Sequence, residues 1–283
     1  METFAKTAGH QPNLALYYSG WFERFQAQFA NDAAAHGAIP LVQMDPVTGA
    51  GRGVTGQPVR LAAIAAGAYD SYLTSYADQV ATYGKGVVIG FGHEMNGTWY
   101  PWGYLNQPAA DFRAAWQHIV TVFRRQGADN VTWLWTVNID TPPGAQTRGT
   151  GQVADWWPGA SYVTWIGIDG YYQATDDTWG SVFAPTIAQI RQFTKDPLLI
   201  AETAIGPVGT EPWQLQEMWA SIRQEHDLGL VWFDENKSAF LSYRLEGDPK
   251  DSAVFRQLTK PLRLIQQRGG TPQAAGTQPA AGG

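Results

Sequence analysis

The chain has 283 residues, a net charge of −6, 44% hydrophobic and 16% charged residues, and no cysteine. That length suits one α/β barrel domain, and that composition excludes a chain disordered throughout. The acidic balance, with no run of basic residues, argues against nucleic acid or an anionic membrane as a partner, and the missing cysteines exclude disulfides and thiolate metal sites.

In chain order, Met1–Ala8 lacks the basic start and apolar core of a signal peptide, and Glu2–Gly9 reads as a helix. Short apolar runs follow at Asn13–Ser19, Ile39–Asp45, Gly86–His93, Val131–Asn138, Val163–Asp169, Leu198–Glu202 and Leu230–Asp234. Most are continuously apolar, as expected of parallel strands covered on both faces. Helical patterns lie between them at Tyr69–Tyr83, Ala109–Gln126, Val182–Thr194 and Trp213–Glu225. The second is the clearest: Pro108 stands near its start, Phe112, Trp116, Ile119 and Phe123 line one stripe, and Gly127 is placed to end it. Repeated βα units predict a parallel sheet, either closed as a barrel or open and doubly wound. Thr48–Pro58 is glycine-rich and reads as a loop over one end. The domain is expected to span residues 1–268, and residues 269–283, rich in Gly, Ala, Pro and Gln, read as a flexible tail or linker. No run of 18 apolar residues occurs, so no membrane span is expected.

Two segments carry chemistry. In the first, a strand ends in Gly92-His93-Glu94, and a loop of Asn, Gly and aromatics follows, Met95 to Gly103. In the second, Glu202 ends the apolar run Leu198–Ala201, where a carboxylate must be either paired or functional. Catalytic groups of α/β barrels stand at such C-terminal strand ends. The two glutamates are 108 residues apart, a spacing that fits three βα units and puts both on one rim, facing across the mouth. Two facing carboxylates suit glycosidic bond cleavage, one protonated to supply the leaving group's proton and one ionised to attack. The 13 Trp fit either core packing or flat faces on which sugar rings stack. A zinc-protease reading of His93-Glu94 fails because the second His position is Gly97, and no metal or other cofactor is expected.

The run His93-Glu94-Met95-Asn96-Gly97-Thr98-Trp99-Tyr100-Pro101-Trp102-Gly103 closely resembles the signature of glycoside hydrolase family 26, a family of retaining (β/α)8 barrel enzymes. Tyr69-Asp70, Trp157 to Gly159, Val163 to Tyr171, Leu199 to Glu202 and Val231 to Phe233 extend the likeness over residues 2–268. The family consists mainly of β-mannanases and also holds β-1,3-xylanases and mixed-linkage glucanases. The resemblance implies a secreted, monomeric endo-β-mannanase acting on polysaccharide. It implies Glu94 as acid/base at the end of the family's fourth strand and Glu202 as nucleophile at the end of the seventh. His93 is implied to bind a sugar hydroxyl or orient the catalytic groups, Trp99 to help form the sugar site, and Trp232 to be the stacking floor at the scissile sugar. Tyr171 or, in competition, Tyr172 would donate a hydrogen bond to Glu202. Trp21 and Trp102 are weaker candidates for outer subsites, and Asp234-Glu235 form a rival carboxylate pair. His118 and His226 are expected to be surface or packing residues. A barrel that binds polysaccharide with little catalysis is the alternative.

The chain departs from the family pattern in two places. Only seven strands are found, because the strand that should precede the helix Glu2–Gly9 is missing. This predicts a gap in the barrel and, as an expectation, a natural protein that starts earlier and is exported. The segment Gln43 to Pro46 also lacks the Trp often found there.

Overall fold

The computed structural model describes residues 1–49, 56–140, 151–206, 212–238, 241–247 and 249–259. Seven strands form one sheet: β1 (Leu14–Trp21), β2 (Ile39–Thr48), β3 (Val87–Phe91), β4 (Val131–Asn138), β5 (Trp165–Asp169), β6 (Leu198–Thr203) and β7 (Leu230–Trp232). They are hydrogen-bonded in chain order, every pair parallel. Helices α1 (Glu2–Ala8), α2 (Ala27–Ala35), α3 (Leu61–Ala65), α4 (Asp70–Tyr83), α5 (Ala109–Arg125), α6 (Trp179–Val182), α7 (Ala184–Ile190), α8 (Pro212–Gln224) and α9 (Pro249–Thr259) surround it. A two-stranded hairpin, β8 (Asn236–Ser238) and β9 (Leu241–Ser242), follows β7. This is the (β/α)8 barrel, with one strand position unfilled among the described residues. Among the described residues nothing pairs with the outer edge of β1 or of β7. Between those edges lies a groove of about 980 Å³, lined by Leu16, Tyr18, Val231, Trp232 and Phe233 among others, which reaches Glu202.

The helix stripes do what their spacing predicts. Phe112, Trp116, Ile119 and Phe123 of α5 are all buried, and Gly127 beyond its end has φ of +72°. The helix expected over Val182–Thr194 is instead two, α6 and α7, broken at Phe183. Thr178 and Ser181 cap α6 reciprocally, and Pro185, with no N–H to offer, fits the first turn of a new helix better than the interior of a longer one. Part of the expected loop Thr48–Pro58 belongs to β2 or to a bridge between Val47 and Pro58; residues 50–55 and the tail 269–283 lie outside the described residues.

The strands' inward faces grade from apolar to polar. Leu41, Val88, Leu134, Leu199 and Ala201 are buried together, with Leu14, Leu16, Trp165 and Val231 packed against them. Two residues further along several strands the same face carries Tyr18, Gln43 and Thr136, and then Asp45, Asn138 and Asp169. Side chains alternate along a strand, so one strand supplies core below and chemistry above.

Candidate active site

Glu202 reaches the barrel mouth through a break in that alternation. Ala201 belongs to the inward cluster, so its neighbour should face outward. The ladder slips here: Ile168 pairs with Ile200, but Asp169 pairs with Glu202. One extra residue on β6 re-aims the side chain, a common use of a bulge beside an active site. Glu202 then accepts hydrogen bonds on both oxygens, from the Tyr18 hydroxyl on Oε2 and the Tyr171 hydroxyl on Oε1. Burial raises both phenols well above the usual range, and the Glu202 charge adds to it. At neutral pH they are therefore neutral donors.

Glu94 follows β3 after Gly92 and His93 and has φ of +53°, a left-handed conformation uncommon for a residue with a side chain. Its backbone N–H donates to Thr136 O at 3.0 Å. The indole Nε1 of Trp99 donates to its Oε2 at 2.5 Å, and Asn138 Nδ2 to its Oε1 at 2.6 Å. Asn138 is fixed by a reciprocal pair with Asn96, at 2.9 and 2.8 Å. Gly97 makes room for this: a Cβ there would lie 2.3 Å from the Trp99 ring. Burial raises the Glu94 pKa, and the Glu202 charge adds to the rise. The His93 charge and the two hydrogen bonds pull the other way without cancelling it.

His93 stands behind both glutamates, 3% exposed. Its Nδ1 lies 3.0 Å from Asp45 Oδ1 and its Nε2 3.1 Å from the Tyr100 hydroxyl. Burial alone would lower its pKa. The Asp45 carboxylate, helped by Glu94 and Glu202, outweighs burial and pushes it up to about 9. The ring is then an imidazolium at neutral pH, donating from both nitrogens. Both of its ring nitrogens are thus taken up by Asp45 and Tyr100. Replacing Asp45 with Asn should leave burial unopposed by its main partner. The His93 ring is then expected to be neutral at pH 7, where the native ring is charged. Imidazole ¹⁵N shifts across pH 5–10 would register the difference, and an unchanged titration would refute the pairing.

Asp169 was in the sequence match but had no role. It is 1% exposed, and neither carboxylate oxygen has a partner among the described residues. Burial drives its pKa well above the usual carboxylate range, with Glu202 and Glu94 adding to the rise. A third anion beside two others in a buried position is costly, so the surroundings of Asp169 favour its protonated form.

Several expected residues are placed differently. Trp232 is turned from the mouth: Val231 takes the inward position, while the Trp232 ring meets Phe255 of α9 edge-on at 5.5 Å and its Nε1 donates to Tyr243 O at 2.9 Å. The next residue, Phe233, stands beside Tyr171, 6.0 Å between ring centroids. Trp21 and Trp102 are buried at 2% and 0% exposure, which removes them as subsite platforms. Trp102 stacks on Tyr100 at 4.4 Å and donates to His93 O at 2.9 Å. Tyr172 is spoken for by Glu217, 2.8 Å away, so Tyr171 is the tyrosine on Glu202. Asp234 accepts from Leu245 N at 2.8 Å, and Glu235 is exposed. His118 bonds Asp70 at 2.6 Å on the surface, and His226 follows the end of α8. Sequence reasoning missed Tyr18, Asp45 and Asn138 altogether. Their only signal was a polar residue at inward parity near the C-terminal end of an apolar strand.

Among the described residues no three His, Asp or Glu side chains converge as metal ligands, and no helix is long and apolar enough to cross a membrane. A parallel barrel with two glutamates ending different strands on one rim, each oriented by its own donors, has the architecture of a glycoside hydrolase. The chain belongs to one family of that class: the model of glycosyl hydrolase family 26 matches residues 63–204. Endoglucanase H of Acetivibrio thermocellus is 29% identical over 274 residues, which are 91% of this chain and 28% of that protein. The β-1,3-xylanase TXYA of a Vibrio species is 27% identical over 142 residues, 50% of this chain and 28% of its own length. The chain thus spans little more than a quarter of these relatives. Among solved structures, the catalytic domain of a Bacillus sp. JAMB-750 family 26 endo-β-1,4-mannanase gives a TM-score of 0.63 at 16% identity, covering 90% of this chain and 78% of that one. A family 26 β-mannanase from Bacteroides ovatus gives 0.62 at 14%, covering 91% and 81%. At such identities the likeness is one of fold.

Proposed function

We propose that the chain is a retaining endo-β-glycanase, with Glu94 as acid/base and Glu202 as nucleophile. The observation that carries this reading is the contrast between the two carboxyls. Glu94 sits in a buried position where its pKa is raised, which suits a proton donor. Glu202 accepts two phenolic hydrogen bonds, which suits a group that must act as the anion. In the first step Glu202 attacks the anomeric carbon as Glu94 protonates the departing oxygen. In the second, Glu94 takes a proton from water, which displaces Glu202. Trp99 holds Glu94 and offers its ring to the sugar site. Phe233 supplies apolar surface beside Tyr171.

β-1,4-Mannan is the first substrate to test, since mannanases make up most of the family this chain resembles. A β-glucan is the second reading, favoured by the match to a protein named endoglucanase along 91% of the chain. Such polymers are too large to enter a cell, so the enzyme is proposed to work outside the cytoplasm, as a monomer and without a cofactor. Purified protein should release reducing ends from mannan, β-1,3-xylan or mixed-linkage glucan, and proton NMR should show the β-anomer formed first. Binding without release, unchanged in Glu202→Ala, would replace this reading with that of a polysaccharide-binding barrel; the α-anomer formed first would rule out retention.

A further inference from the structure

We propose that Tyr18 is a second positioning residue for the nucleophile, holding Glu202 Oε2 while Tyr171 holds Oε1, so that the carboxylate is gripped by phenols from opposite sides of the barrel mouth. The inference rests on the reading of Glu202 as nucleophile. The geometry behind it is specific. Tyr18 lies on β1, the strand beside the open groove, and reaches a residue 184 positions away. It stands at the inward parity of Leu14 and Leu16, two residues above the apolar layer. Its ring is packed against His93, 5.2 Å between centroids, so the hydroxyl cannot simply swing away. The extra residue in β6 that turns Glu202 inward turns it into the space between this hydroxyl and that of Tyr171.

The chemical consequence follows from which charge state the donors favour. A neutral phenol donates to a carboxylate more strongly than to an ester oxygen or a carboxylic acid. Two such donors keep Glu202 ionised between turnovers, and they stabilise it again as it leaves the sugar in the second step. They are needed because the other groups facing Glu202 pull in different directions. Glu94 and Asp169 are carboxyls, His93 is a cation at neutral pH, and the phenols Tyr100 and Tyr243 stand near.

The test reads the protonation of Glu202 directly, by titrating its ¹³C-labelled side-chain carboxyl in the full chain by NMR. In Tyr18→Phe the midpoint is expected to rise by about one to two pH units, the worth of one hydrogen bond to a charged group. With 3-fluorotyrosine at position 18, a stronger donor, it is expected to fall. The acid limb of kcat/KM should move the same way in each protein. A purely structural role would not shift the midpoint in opposite directions at one site. If Tyr18→Phe does not fold, the fluorinated protein, altered by one atom, carries the test alone. An unmoved midpoint overturns the proposal. The nucleophile reading is checked separately: Glu202→Ala supplied with azide should yield the α-glycosyl azide. An unmoved midpoint with that product formed sinks only the role of Tyr18; absence of the product sinks both.

Discussion

Glu202→Ala is expected to lower turnover of any cleaved β-glycan by about 10⁵-fold, roughly 7 kcal/mol of barrier, while the fold and substrate binding persist. The size follows from what is lost. Without the carboxylate no glycosyl–enzyme bond forms, and the site keeps only an acid and a set of binding contacts. The fold should tolerate the change because Glu202 is partly exposed and alanine removes a carboxylate without adding bulk to the packed rings of Tyr18 and Tyr171. The cavity left beside them has room for a small anion. Azide should enter it, attack from the vacated side, and restore cleavage of an activated aryl glycoside with inversion. Two measurements check this: kcat on the polysaccharide, and the anomeric configuration of the azide product. Retention of more than a few per cent of activity would transfer the role to another carboxylate. The rival pair read from the sequence, Asp234 and Glu235, has one member tied to a backbone N–H and the other exposed.

What the sequence displayed of this site, and what it hid, divides along physical lines. Continuous apolar runs located the seven strands of the parallel sheet, because a strand covered on both faces is a short apolar run bounded by turn residues. The polar residues that end those runs stood out for the same reason, which is why Glu94 and Glu202 were visible and the empty strand position could be counted. Facing direction was less legible. A strand's parity is lost by one bulged residue, and β6 has such a residue. Pattern alone would turn Glu202 out of the mouth. The same one-residue difference separates Trp232, which packs on α9, from Phe233, which stands at the mouth. Trp21 and Trp102 show the other limit: a tryptophan near a rim reads alike whether it stacks on a sugar or fills the space behind a histidine. Tyr18 was beyond reach because its partner lies on the far side of the barrel, and no local spacing encodes that contact.

Glu94→Ala is expected to split substrates by their leaving groups. On a polysaccharide, whose departing alkoxide needs a proton, the loss should be about 10²–10⁴-fold. On an aryl glycoside with an acidic phenol it should be within about tenfold for the first step, since that phenolate leaves unaided. The second step still needs a base, so the glycosyl–enzyme should accumulate and KM should fall with kcat. The pH profile supplies an independent reading, and its sign is fixed by the direction of the Glu94 shift. The first step requires the protonated acid. A pKa raised by burial and by the Glu202 charge therefore keeps the native enzyme active further into the neutral range than an ordinary glutamate would. In kcat/KM for the polysaccharide this is the basic limb, which should disappear in Glu94→Ala while the acid limb remains. Trp99→Phe removes one donor to the ionised form of Glu94 and should carry the basic limb to higher pH. Equal losses on both substrate classes, or a basic limb that survives the alanine, would move the acid/base role away from Glu94. His93 would be the next residue to test, since it is the other group at this rim poised to hold a proton at neutral pH.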